Sequence, residues 1–213
     1  MKVLAIGAHP DDVEIGAGGY LIKTVKQKGE VYIFTLTYGE AGGADTGTRE
    51  KEARASARMI GAKEIRFGGF KDTKLMPDGD LVNSIEAVFK EVKPDVVLTH
   101  STRDEHHDHR AVGLSTIEGA RKCQQILAYE NPLTKDFVPQ HYVDITDVID
   151  EKVKLLSLFD TQKTKIYLIP STIRGLALYR AFQSRVDSML YAEGFQVIKC
   201  VSNCGPNESS CNC

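Results

Sequence analysis

Lys2-Val3-Leu4-Ala5-Ile6-Gly7-Ala8-His9-Pro10-Asp11-Asp12 decides how the rest of the chain is read. Residues 2–8 form a short apolar run that ends at a turn, the pattern of a strand buried on both faces of a parallel sheet. An imidazole and two carboxylates follow directly, and Pro10 stiffens the turn and removes a backbone donor. Two readings of the tetrapeptide 9–12 stand side by side. It is a metal site, since zinc accepts nitrogen and carboxylate oxygen and a catalytic zinc has three protein ligands. Or it is a polar turn whose Asp12 caps the next helix.

Outward from this stretch, strands and helices alternate. The apolar spacing predicts a helix over 16–28 that stops at Gly29, and a second strand over 30–37. Residues 39–48 hold four glycines and read as a mobile loop. A helix is expected over 49–60, a strand over 65–67, a helix over 81–92 stopped by Pro94, and a strand over 95–100. A further helix over 109–122 and a fifth strand over 126–129 complete the alternating part. Beyond it, helices are expected over 147–162 and 171–190 and a last strand over 195–200.

Strands separated by helices imply a parallel sheet with right-handed crossovers, and ligands gather at the C-terminal edge of such sheets. The second polar cluster, Asp104-Glu105-His106-His107-Asp108-His109, follows the fourth strand, as the first follows strand one. Four of the six histidines lie within 100–109. A solvated loop is the plain reading of that density. Paired with His9 and Asp12 at a neighbouring strand end, the cluster reads as a metal site, and His/Asp/His donors suit zinc while admitting other divalent ions.

The 213 residues fit one domain with a substantial core. A net charge of −2, with Lys and Arg scattered, offers no footprint for nucleic acid or an anionic membrane. No apolar run approaches the ~20 residues that span a bilayer, and the opening apolar run is too short for a secretory signal. A cytoplasmic location is therefore expected. Five cysteines, four of them at Cys200, Cys204, Cys211 and Cys213, argue against a disulfide framework.

Ala8-His9-Pro10-Asp11-Asp12 after an N-terminal strand, with His106-His107-Asp108-His109 later, resembles the LmbE-like/PIG-L family of N-acetylglucosaminyl deacetylases. Arg49-Glu50-Lys51-Glu52 through Met59-Ile60-Gly61, Val143-Asp144-Ile145-Thr146 and Tyr191-Ala192-Glu193-Gly194-Phe195 are similar to further family stretches. The resemblance implies a single-domain, Rossmann-like three-layer α/β sandwich with a mostly parallel sheet over 1–199, its metal site at the C-terminal ends of strands one and four. It implies zinc on His9, Asp12 and His109, with Asp11 as general base. His106 then stabilises the oxyanion or protonates the leaving amine, in cationic form and oriented by Asp108. Arg49 and Asp72 are implied at the substrate. Glu14 is a candidate substrate contact, although a helix N-terminus would also explain its charge. His100 and His107 are expected to be bystanders. The implied partner is a small N-acetylated sugar, and related enzymes imply a homo-oligomer, up to a hexamer.

The sequence departs from the family pattern in two places. Where members often carry His-x-Ser-Gln, this chain has Phe159-Asp160-Thr161-Gln162, which leaves the metal centre alone but alters the sugar pocket. Residues 200–213 form a cysteine-rich stretch expected to be a flexible tail, whose four thiols could hold a second, structural zinc despite unusual spacing. Three further readings compete: an amidase acting on a thiol conjugate, a non-catalytic nucleotide- or metal-binding module, and a redox or metal sensor acting through the tail. Gly7 and Gly16 to Gly19 do not make G-x-G-x-x-G, which disfavours the nucleotide reading.

Overall fold

The computed structural model describes residues 1–43 and 45–201. Cys204, Cys211 and Cys213 lie outside the described residues, so the four-thiolate site and the tail beyond 201 do too. The elements are β1 (Lys2–Gly7), α1 (Asp12–Lys26), β2 (Glu30–Thr37), α2 (Thr46–Ile60), β3 (Glu64–Phe70), α3 (Gly79–Val92), β4 (Val96–His100), α4 (His107–Gly119), β5 (Gln125–Tyr129), β6 (His141–Asp144), α5 (Ile149–Leu156), α6 (Pro170–Ser184) and β7 (Ala192–Cys200). One seven-stranded sheet runs β3-β2-β1-β4-β5-β7-β6. The β1, β2, β3, β4 and β5 pairings are parallel, and β7 is antiparallel to both β5 and β6.

Alternate β1 side chains feed two cores. Val3 and Ala5 pack with Leu21 of α1, Ala57 of α2, Leu155 of α5 and Ile173 of α6. Leu4 and Ile6 pack with Leu81 and Ile85 of α3 and Val112 of α4. With helices on both faces, β1 needs apolar residues at successive positions, which is why it reads as an unbroken run. The strand order reverses between β1 and β4, so their connections leave in opposite directions and open a crevice at their C-terminal ends.

Several boundaries differ from expectation for local reasons. α1 begins at Asp12 rather than near Gly16, because Asp11 takes a left-handed conformation (φ 94°) that turns the chain straight from strand to helix. α2 begins at Thr46, where the Asp45 carboxylate accepts the Thr48 N–H at 2.9 Å as an N-cap. The helix expected over 147–162 stops at Leu156, and 160–162 become a short 3-10 turn held to α2. There Thr161 donates its N–H and hydroxyl to Glu52 at 2.8 and 2.6 Å. β6 was not expected; it is a four-residue edge strand, half-buried throughout, with no alternation to read.

An ion pair is set into the backbone of α1. The Glu193 carboxylate of β7 accepts the N–H groups of Gly19 and Tyr20 at 2.8 and 2.7 Å. Lys152 of α5 donates to Glu193 at 2.6 Å and to the Ile15 carbonyl at 2.7 Å, the acceptor that Gly19 would use in an unbroken helix. A Cβ at Gly19 would lie 2.6 Å from the Ile145 side chain, so glycine is needed for this approach. Both partners are buried. Glu193→Leu leaves Lys152 uncompensated and is expected to destabilise the fold by about 3–5 kcal/mol, measured as a lowered denaturation midpoint. Among the described residues no helix is long and apolar enough to cross a membrane.

Candidate active site

Both polar clusters arrive at the β1/β4 crevice. His9, Asp11 and Asp12 leave β1, with Asp12 in the first turn of α1; His106 caps α4, and His109 lies in its first turn. The three expected metal ligands converge. His9 Nδ1 lies 3.3 Å from Asp12 Oδ2, His109 Nε2 lies 3.3 Å from Asp12 Oδ1, and the two nitrogens are 3.3 Å apart. A tetrahedral ion with zinc-type bonds near 2.0–2.1 Å sets its ligand atoms about 3.3–3.4 Å apart. The donor set fits such an ion in kind, the two nitrogens are spaced for it, and each nitrogen meets a different oxygen of the Asp12 carboxylate at that spacing.

The opposite edges of these rings are held by carboxylates. His9 Nε2 faces Asp72 Oδ1 at 3.0 Å and Asp108 Oδ2 at 3.2 Å, which presents Nδ1 to the centre. His109 Nδ1 lies 3.2 Å from Asp104 Oδ1, within ion-pair distance but off the line of a hydrogen bond. Desolvation lowers the pKa of His9, yet hydrogen bonds to Asp108, Asp12 and Asp72 raise it well above the usual value. Burial likewise opposes protonation of His109, and Asp12 with Asp104 outweighs it and lifts the pKa to about 9. Burial would raise Asp12, and His109 and His100 hold it well below the carboxylate range instead. So much negative charge around two imidazoles is an environment that favours a cation.

Asp11 differs from its neighbour. Burial, then the Asp12 charge, pushes its pKa up to about 8 against the pull of Arg49 and His9. It lines the same cavity, of about 380 Å³, as His9, Asp12, His106 and His109. A buried carboxyl that releases its proton near neutrality is suited to general-base work. The Asp11 backbone in the left-handed region is strain of the kind held at functional sites.

Arg49 is buried in the cavity wall. Its Nη2 donates to the Pro10 carbonyl at 2.8 Å and lies 3.9 Å from Asp11 Oδ1. Its Nε and Nη1 are buried with no partner, so the guanidinium holds unspent donors. A Cβ at Gly39 (φ 68°) would come within 2.8 Å of Arg49 Nη2, which explains that glycine. Asp72 also lines the cavity. Burial opposes its ionisation, but His9 and the Ala41 N–H (2.9 Å) hold its pKa down to about 2.

Three expected roles meet different surroundings. Glu14 does not line the cavity: it is buried against α2, hydrogen-bonded to Ser56, and desolvation raises its pKa to about 7. The Asp108 carboxylate serves His9 and the backbone N–H groups of Thr73 and Leu75 (2.7 and 3.0 Å); it is the Asp108 N–H that meets His106, at 3.2 Å on Nδ1. That bond leaves the proton of a neutral His106 on Nε2. Desolvation and the neighbouring His109 and His9 lower the His106 pKa, so the cationic form is disfavoured.

Two side chains outside the expected ligand set touch Asp12: His100, expected to be a bystander, and Asn131, which the sequence reading did not single out. His100 is fully buried, accepts the Ala8 N–H at 3.0 Å, lies 3.2 Å from Asp12 Oδ2 and stacks on His109 with ring centroids 4.0 Å apart. Burial, then His109, lowers its pKa to about 4. Asn131, just past β5, donates to Asp12 Oδ1 at 3.1 Å, and its own Oδ1 is buried without a partner. Asn131 offered no sequence signal beyond its place at a strand end, and His100 only that and its membership of the histidine-dense stretch 100–109. Where the family often has histidine, Phe159 is buried in the core, while Gln162 reaches the cavity wall.

The family model PIG-L, GlcNAc-PI de-N-acetylase, matches residues 4–119, from β1 through α4. The chain is 34% identical over 154 residues to the uncharacterized deacetylase YaiS of Escherichia coli, covering 68% of this chain and 82% of that protein. The structure of N,N'-diacetylchitobiose deacetylase from Pyrococcus horikoshii superposes with a TM-score of 0.81 at 26% identity, over 92% of this chain and 83% of that one. The 4-oxalmesaconate hydratase of Pseudomonas putida is 24% identical over an alignment of 230 positions, gaps included, covering 92% of this chain and 89% of that protein. This chain belongs to the PIG-L family of de-N-acetylases.

Proposed function

We propose that the protein is a zinc-dependent N-deacetylase that hydrolyses the acetamide of a small N-acetylglucosamine-containing molecule, releasing acetate and a free amine. The observation that carries this reading is the meeting of His9 Nδ1, the Asp12 carboxylate and His109 Nε2, each 3.3 Å from the next, in one cavity with Asp11 and the unspent Arg49 donors. The relatives that act on N-acetylated sugars support the substrate class.

Zinc held by His9, Asp12 and His109 would supply Lewis acidity, making water nucleophilic near neutral pH and polarising the acetyl carbonyl. Asp11 accepts the proton of the attacking water as it adds to that carbonyl, and passes it to the nitrogen as the C–N bond breaks. His106, with Nδ1 committed to the Asp108 N–H, directs its Nε2–H to the developing oxyanion. His9 is kept in ligating orientation by Asp72 and Asp108, which gives Asp72 a positioning task in addition to any sugar contact. Arg49 binds a substrate oxygen with the donors the protein leaves unused. A homo-oligomer of up to six copies and a cytoplasmic location belong to the same proposal.

Arg49→Ala is expected to raise KM by roughly tenfold to a hundredfold, the worth of a charged hydrogen bond, with metal content unchanged. Arg49→Lys should not restore it, since an ammonium lacks the planar fork. Steady-state kinetics on N-acetylglucosamine and diacetylchitobiose measure both. The same assay, run beside hydration of 4-oxalmesaconate, tests the function: hydration without acetate release would assign the site to the hydratase branch of the fold.

A further inference from the structure

A second cavity, of about 260 Å³, lies between α1, α6 and β7 and shares Ile15, Pro132 and Tyr167 with the wall of the catalytic cavity. Its chemistry is the reverse of its neighbour's. Four charged side chains line it, and all are already paired. Lys152 is spent on Glu193 and the Ile15 carbonyl, and Glu193 also accepts from Gly19 and Tyr20. Arg180 meets Glu130 through Nε at 2.8 Å and through Nη2, and its Nη1 goes to Gln183. What remains to meet a ligand is mostly apolar wall, Ile15, Leu156, Ile173, Ala177 and Leu176 (the last 41% exposed at the surface), with Tyr167 and Thr172 adding a hydroxyl each. The catalytic cavity, by contrast, keeps unspent polar atoms on Arg49 and Asn131. An apolar cavity of ~150 Å³ takes a benzene ring, so this one has room for a chain or ring of about six carbons.

The geometry points to a second subsite, adjoining the catalytic cavity at Ile15, Pro132 and Tyr167, that seats an apolar substituent of the N-acylated sugar; the inference rests on the deacetylase reading above. A substituent of this kind can come from the acyl group or from the aglycone, and the two sources are separable. The expected substrate is a sugar amide bearing one apolar arm, rather than a free sugar or a uniformly polar oligosaccharide.

The test compares n-hexyl with methyl N-acetylglucosaminide, and N-hexanoyl- with N-acetylglucosamine, by calorimetric binding and by release of the carboxylic acid. In the parent protein the longer member of one pair should bind at least about tenfold more tightly; the pair that shows it names the source. Ala177→Phe, which fills the cavity, should erase that preference and leave binding of the short member within about twofold. Leu176→Asp, at an exposed position, should weaken the same preference and serves if the larger side chain prevents folding. No chain-length preference in either pair, or one that survives both variants, overturns the subsite. Preference in binding without any acid released would sink the deacetylase reading and leave the subsite standing. Acid released equally from long and short members would do the opposite.

Discussion

His109→Ala is expected to bind zinc far more weakly than the parent protein and to release no acetate above background. Loss of an outer partner of a metal ligand costs about 10–100-fold in affinity, and removal of one of three ligands should exceed that range. His109 Nε2 is also 3.3 Å from both His9 Nδ1 and Asp12 Oδ1, so its loss removes one corner of the donor triangle. The fold should survive, because the ring sits at the first turn of α4 rather than in either apolar core. Competition against a chelator measures the affinity. A His109→Ala protein carrying one tightly held ion per chain would contradict the ligand set.

Asp11→Asn separates chemistry from metal binding. It is expected to keep the ion, since Asp11 is not among the converging donors, and to lose about 10²–10⁴-fold in kcat, the range for a general base. Asparagine is among the residues that tolerate a left-handed backbone, so the strand-to-helix turn at φ 94° should persist. Stability should not fall, because burial, and then the Asp12 charge, already push the pKa of this carboxyl up to about 8. Turnover and metal content measured on one preparation decide the matter. An unimpaired rate would remove Asp11 from the base role.

What the sequence made legible was the frame of the site. Buried parallel strands announce themselves as apolar runs, and polar clusters at their ends stand out against them; the β1 and β4 exits were readable for that reason. The start of α1 was not, because Asp11 to Glu14 look like a loop until the left-handed turn at Asp11 brings the helix forward. The outer supports were hidden for a different reason. His100 and Asn131 gain their parts from the adjacency of β1, β4 and β5. No spacing within one segment encodes that. Glu14 shows the converse: a candidate substrate contact in the sequence, it is carried by α1 round to Ser56 of α2. The break in the 147–162 helix also depends on a distant partner, Glu52 of α2.

The central claim is that a divalent ion on His9, Asp12 and His109 drives amide hydrolysis of an N-acetylated sugar. Its most direct test is acetate release from diacetylchitobiose by protein stripped with a chelator and then titrated with zinc. Release is expected to be absent in the stripped protein and to rise with added zinc until about one ion per chain is bound, the number that one three-ligand centre holds. Undiminished release from the metal-free protein, or none at full occupancy from any N-acetylated sugar, would contradict it.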